Sequence, residues 1–301
     1  MNRPAYLTRV MLIAATSAAS LGVTRSAALF RRNGSPRHLQ SVDSNLAPTL
    51  GDDQGIRGGF GVEALPWFVV FDDFLCGGAL IHPDIVLTSA ACVETSVPTA
   101  VRVGAGTTLD GTVVGVLGAR VYPDWDGNFL NGADIALLKL DRTLTNDVAA
   151  FNTDASVPVV TSDIMFLMGF GILDDTGTEP NILQGLFLNY VEDCFSRFPD
   201  YRPDFHVCGD ATPEYGSCAG DGGGPVVLSG TNNVVGIVSF SDGSCETQTI
   251  DVFTRVATYS GWIEDRICDL SVIKPDYCGP EHNKFDKYDC FFIPSLFNWL
   301  I

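Results

Sequence analysis

From Ile56 onward the chain is a succession of short apolar runs, rich in Val, Ile and Phe, broken by Gly, Asp and Asn turns. The runs read PWFVVF, CGGALI, DIVLTS, AVRVGAG, DIALLKL, IMFLMGFG, GPVVLS and VVGIVSF. Runs this short cannot be core helices, and no helical segment of crossover length alternates with them. That leaves an all-β sandwich or barrel and excludes a parallel βαβ sheet. Only VATYSGWIEDRIC has helical spacing, with Val256, Tyr259, Trp262, Ile263 and Ile267 on one face, so a single helix is predicted to close the domain near Cys268. With 301 residues, 46% of them hydrophobic, the chain can bury the core of one large or two small domains.

The charge is unevenly spread. The net charge is -18, yet residues 1–42 hold six Arg and no acid, leaving 12 basic against 36 acidic residues beyond them. So acidic a body does not suit a phosphate backbone, so nucleic acid is excluded as a partner. The opening MNRPAYLTR is basic, and VMLIAATSAASLGV is an apolar stretch of signal-peptide length, too short to span a membrane. Residues 1–28 are therefore read as a secretory signal peptide. An organelle-targeting segment is the alternative, because the first 42 residues are rich in Arg, Ser and Ala. Residues 29–55, with RRNGSPRH and GDDQG, read as a pro-segment or linker, and residues 271–301 as a C-terminal extension ending in the apolar FFIPSLFNWLI.

All nine cysteines lie beyond the basic segment, with no CxxC or Cys/His cluster that would hold zinc. No metal or other cofactor is expected. A disulfide framework is the better reading, and the odd number leaves one thiol over. DWDGN at Asp124–Asn128 resembles the start of a calcium loop but lacks the ligands that should follow, and is read as an exposed turn.

Four stretches carry the chemistry, in fixed order: CGGALIHPDIVLTSAAC from Cys76 to Cys92, DIALLKL from Asp134, CAGDGGGPVV from Cys218, and VVGIVSFSDGSC ending at Cys245. Together they resemble the trypsin/chymotrypsin-like serine proteases over roughly residues 56–270. The resemblance implies two packed six-stranded antiparallel β-barrels with a C-terminal helix. It also implies three disulfides, Cys76–Cys92, Cys194–Cys208 and Cys218–Cys245. Cys268 and Cys278 are expected to form a fourth, leaving Cys290.

Such enzymes need a Ser nucleophile, a His that accepts its proton and a buried Asp that orients the His. The family's His motif, T-A-A-H-C, reads here Thr88-Ser89-Ala90-Ala91-Cys92, so Ala91 stands at the histidine position. The Ser motif, G-D-S-G-G-P, reads Gly220-Asp221-Gly222-Gly223-Gly224-Pro225, so Gly222 stands at the nucleophile position. Asp134 remains. Without its His it is expected to serve structurally, accepting a hydrogen bond from a neighbour such as Ser239. The other histidines are His38, His82, His206 and His282, with His82 read as a surface turn residue. Gly55 replaces the basic residue that family members carry before the conserved Ile, here Ile56, so trypsin-type processing there is not expected.

The resemblance also places a substrate pocket. Gly216 aligns with its base, and Asp251 with the opposite wall, where it would meet a Lys or Arg; a solvated loop position is the alternative for Asp251. The N–H groups of Gly220 and Gly222 would form an anion hole. The expected function is that of a secreted, non-catalytic serine protease homologue. It would act by binding, as inhibitor, decoy or regulatory co-factor of a protein partner: a secreted enzyme or a basic peptide segment. The alternative is an active trypsin-like endopeptidase, which family likeness alone would assign.

Overall fold

The computed structural model describes residues 56–279, apart from 73–75, 158–162, 193, 195, 197, 199–200, 211–214, 246 and 248–249. The expected signal peptide, pro-segment, Cys290 and apolar tail lie outside the described residues.

Fourteen strands are arranged in two curled sheets. The first is a closed barrel of β2 (Phe68–Phe71), β3 (Gly77–His82), β4 (Ile85–Thr88), β5 (Ala100–Val103), β6 (Thr112–Val121) and β7 (Ala136–Leu140). Its order is β2-β3-β4-β7-β6-β5, and β2 pairs with β5 to close it. Closure removes the sheet edges, and β2, β4 and β7 are buried along their whole length, which is why they are mostly apolar without alternation; the exception in β7 is Lys139, paired below.

The second sheet is wider than the six strands expected. It contains β9 (Ile164–Gly169), β10 (Gln184–Asn189), β11 (His206–Asp210), β12 (Pro225–Leu228), β13 (Asn233–Ser241) and β14 (Ile250–Arg255). Two short strands are added: β1 (Phe60–Gly61) beside β10, and β8 (Ala150–Phe151), parallel to β13. The sheet curls without closing into a continuous ladder; β10 and β11 approach through one bridge, Tyr190 to Gly209, beside Asp210, which accepts the N–H and amide of Asn189 at 2.7 and 2.8 Å. Four disulfides are present: Cys76–Cys92, Cys194–Cys208, Cys218–Cys245 and Cys268–Cys278.

The helical pattern near the end divides in two. Val256–Tyr259 form a tight 3-10 turn, and α1 runs Ser260–Leu270. Ile263 and Ile267 bury one face in the core of the first barrel, and the Tyr122 ring meets Tyr259 and Trp262 edge-on at 4.8 and 5.4 Å. Beyond α1 the chain is fastened by a buried carboxylate. Asp84, in the turn between β3 and β4, is fully buried and pairs with Lys139 of β7 at 2.6 Å. It also accepts the Ser271 hydroxyl at 2.7 Å and the Val272 N–H at 3.1 Å. His82 is not a free surface residue: its Nδ1 lies 2.9 Å from the same carboxylate. Burial works to raise the Asp84 carboxyl, but the bonds from His82, Lys139, Ser271 and Val272 outweigh it and hold the group well below the usual carboxylate range. The Ser271 hydroxyl lies 3.1 Å from that same Nδ1, so Ser, His and Asp meet here at a single ring nitrogen, which cannot relay a proton from one to the other.

Candidate functional site

A cavity of about 590 Å³ opens between the two barrels. The loop before β12 brings Ala219, Gly220 and Gly222 to it, the segment after β4 brings Ser89, Ala91 and Cys92, and the end of β13 brings Ser239, Phe240 and Ser241. Ala91 and Gly222, far apart in sequence, therefore line one space together with Ser239.

Asp134 lies behind that wall, 1% exposed. Its carboxylate accepts the Ala91 N–H at 2.9 Å and the Ser239 hydroxyl at 2.6 Å, so both oxygens are held without a histidine. Burial raises its pKa, with those donors pulling the other way and Glu94 adding repulsion.

The three consecutive glycines are not equivalent. Gly223 has φ of +74°, and a Cβ there would come within 2.4 Å of Thr88 Oγ1; at Gly224 a Cβ would meet the Asp221 carbonyl at 2.8 Å. Glycine is required at both. A Cβ at Gly222 would meet only Cys92 Sγ, at an ordinary 3.8 Å. The backbone thus has room for a side chain at the position that the motif likeness assigns to a nucleophile. The N–H groups of Gly220 and Gly222 have no acceptor among the described residues, and both residues line the cavity.

Among the described residues, no histidine lines it. His206 is buried on β11 with Nε2 3.0 Å from the Phe129 carbonyl, and burial lowers its pKa. His82 belongs to the Asp84 cluster. His38 and His282 lie outside the described residues.

Asp251 is neither solvated nor on a loop. It sits on β14, between Gly209 of β11 and Ser241 of β13, with zero exposure. Its carboxylate accepts both the N–H and the hydroxyl of Ser217, at 2.9 and 2.6 Å, and does not itself line the cavity. Gly216 is buried one residue behind the wall, its N–H bonded to the Arg57 carbonyl at 3.2 Å. The next amide, that of Cys218, donates to a second buried acid, Asp221, at 2.8 Å, and the Gly171 N–H donates to its other oxygen at 2.8 Å. Adjacent N–H groups in the cavity floor therefore point to two different buried carboxylates. Sequence reading missed this pair, because nothing in G-D-G-G-G-P tells that Asp221 lacks a cation.

Burial pushes Asp221 up to about 7, opposed by its two backbone donors and assisted by repulsion from Asp251. Burial likewise pushes Asp251 up to about 6, against the Ser217 bonds and with Asp242 repelling it. Both pKa values are raised by folding, so the folded chain holds protons that the unfolded chain has released. Stability is therefore full below the unfolded carboxylate range and falls as pH rises through about 6 to 7. We expect roughly 3 kcal/mol to be lost between pH 5 and pH 8. Melting curves across that range check this, and Asp221→Asn should flatten the slope. A Tm that rises with pH would contradict it.

The Trypsin family model matches residues 57–263, and the chain belongs to that family. It is 34% identical to sheep (Ovis aries) mast cell protease 3 over 64% of this chain and 77% of that protein. It is 34% identical to bovine (Bos taurus) duodenase-1 over 63% of this chain and 76% of that protein. Pig (Sus scrofa) trypsin is 30% identical over 72% of this chain and 97% of its own length.

Proposed function

We propose that the protein is a secreted, non-catalytic member of the trypsin family that holds a protein partner in its former substrate cleft, as an inhibitor, decoy or regulatory co-factor. One observation carries this reading: the two residues that line the cavity where base and nucleophile belong, Ala91 and Gly222, offer a methyl group and a hydrogen. Gly222 has no atom that a neighbour could activate, and removal of nucleophile or base alone costs on the order of 10⁶ in turnover. The cleft itself persists, with polar N–H groups and hydroxyls able to hold a peptide segment. Secretion is supported by four disulfides, which persist in oxidising compartments. Residues 1–28 would be the signal, 29–55 a pro-segment or linker, and 271–301 an extension. No helix among the described residues is long and apolar enough to cross a membrane.

A working endopeptidase is the second reading. Family membership favours it, as do an Asp134 that keeps its donors and an anion hole whose donors have no internal acceptor. The two are separated by a fluorophosphonate probe and a cavity ligand used on the same sample. The binding reading expects no labelling by the probe and measurable binding of benzamidine at millimolar concentration. Labelling that abolishes a peptidase activity would establish the endopeptidase instead.

A further inference from the structure

We propose that His206 is a proton-operated latch on the wall of the cleft: neutral, it holds Phe129 and Phe240 in place, and protonated, it lets them go. The device belongs to the wall itself and does not depend on which reading of the cleft is right. Phe129 and Phe240 both line the cavity, with their rings 5.9 Å apart. Phe129 opens the 3-10 turn Phe129–Asn131 and Phe240 lies near the end of β13, so the two come from separate elements. His206, on β11, ties them together without lining the cavity itself. Its Nε2 lies 3.0 Å from the Phe129 carbonyl, and its ring meets the Phe240 ring edge-on at 5.9 Å.

The partners fix the proton count of that ring. A carbonyl can only accept, so Nε2 carries the hydrogen. Nδ1 receives the Arg202 N–H at 3.4 Å, so it is bare. The imidazole is therefore neutral, and both nitrogens are used. A second proton would set an N–H on Nδ1 against the N–H of Arg202, in a residue that is 1% exposed. The charged groups of the surrounding elements offer no relief. Arg202, on the same loop, is itself a cation, and Asp204 is exposed. On β14, Arg255 is a second cation, held by the Pro203 and Ala155 carbonyls, and Asp251 is committed to Ser217. Beside the 3-10 turn, Asp126 is taken up by Asn128 and Asn131. Asp134, whose carbonyl accepts the Thr254 hydroxyl, keeps its carboxylate on Ala91 and Ser239. The Tyr201 ring is 5.8 Å away, but its hydroxyl donates to the His206 carbonyl. No carboxylate among the described residues bonds to the ring. Burial lowers its pKa, against the bond to Phe129 and with the Arg202 charge assisting. A charged His206 must therefore leave its site for water, and the tie from β11 to Phe129 goes with it. What then remains between this loop and the 3-10 turn is the Arg202 guanidinium on the Asn131 carbonyl, at 3.5 Å. The wall is intact at neutral pH and released in acid.

The test is nuclear magnetic resonance of the full chain, labelled with nitrogen-15 in its histidine and indole rings and titrated from neutral pH into acid. The reporter is Trp125, whose ring meets Phe129 edge-on at 5.3 Å; its signal is identified by its loss in Trp125→Phe. We expect His206 to carry its hydrogen on Nε2 at neutral pH and to gain charge only below the ordinary histidine range. The Trp125 signal should shift with the same midpoint. In His206→Gln, whose amide can donate to Phe129 but takes up no proton, that shift should be lost. Asp221→Asn, which removes a titrating acid from beside the cavity floor, should leave it unchanged. A hydrogen on Nδ1, a ring already charged at neutral pH, or a Trp125 signal that stays still while His206 titrates overturns the latch. So does a Trp125 shift that survives His206→Gln or vanishes in Asp221→Asn. The tautomer and the shared midpoint are read on the unaltered chain, so they decide the matter even if His206→Gln does not fold.

Discussion

Purified protein, whether or not residues 1–55 have been removed, should hydrolyse peptide and ester substrates no faster than the buffer. The expected deficit against a complete serine–histidine–aspartate set is on the order of 10⁶. The reason is local. The Ala91 and Gly222 side chains supply neither proton acceptor nor oxygen, and no histidine among the described residues lines the cavity. The single change Ala91→His should restore nothing, since there is still no nucleophile for it to serve. The pair Ala91→His with Gly222→Ser should fold, because a Cβ at Gly222 meets only Cys92 Sγ at 3.8 Å. It should gain weak hydrolysis at most: Asp134 is in place, but Asp221, beside the Gly220 and Gly222 amides, is a buried acid held among the described residues by the Cys218 and Gly171 N–H groups and no cation. Steady-state assays on the three proteins decide the matter. Turnover by the single variant would show that some other residue is the nucleophile.

The second large effect lies far from the cleft. Asp84→Ala should destabilise the chain by about 3–5 kcal/mol, because it strands Lys139, which is 6% exposed, without its counter-charge. The same change removes the acceptor for the Ser271 hydroxyl and Val272 N–H, so the segment after α1 loses its fastening. Denaturant unfolding measures the loss. Replacing both charges, Asp84→Leu with Lys139→Met, should cost less than Asp84→Ala alone, since no charge is then left buried. If the double change costs the sum of the singles, the two residues are not acting as a pair.

Much of this architecture could be read from the chain before any coordinates. Eight apolar runs correspond to strands because each is short, β-branched and bounded by turn residues. Strands β6, β10, β11 and β14 escaped that reading for physical reasons. β6 is interrupted by Gly115 and Gly118 and exposes Val113 and Leu117, so its apolar run is broken. β11 is five residues, HVCGD, with little aliphatic content. β14 carries charges at its second and last positions, and a buried Asp251 is intelligible only once Ser217 is seen donating to it twice. At the site, the substitutions at residues 91 and 222 were plain from motif spacing. The pairing of Asp221 and Asp251 beneath one loop depends on how separate segments converge. No local pattern encodes that convergence.

The fastening of Ser271 to Asp84 has a consequence for the order in which this molecule can be made. Asp84 and Lys139 are synthesised in the first half of the chain, yet the groups that complete their shell arrive only with residues 271–272. Until those residues leave the ribosome, the first barrel holds a carboxylate whose donors are incomplete, and α1 is not there to cover Ile263 and Ile267's seat in its core. The barrel synthesised first is therefore not the barrel finished first.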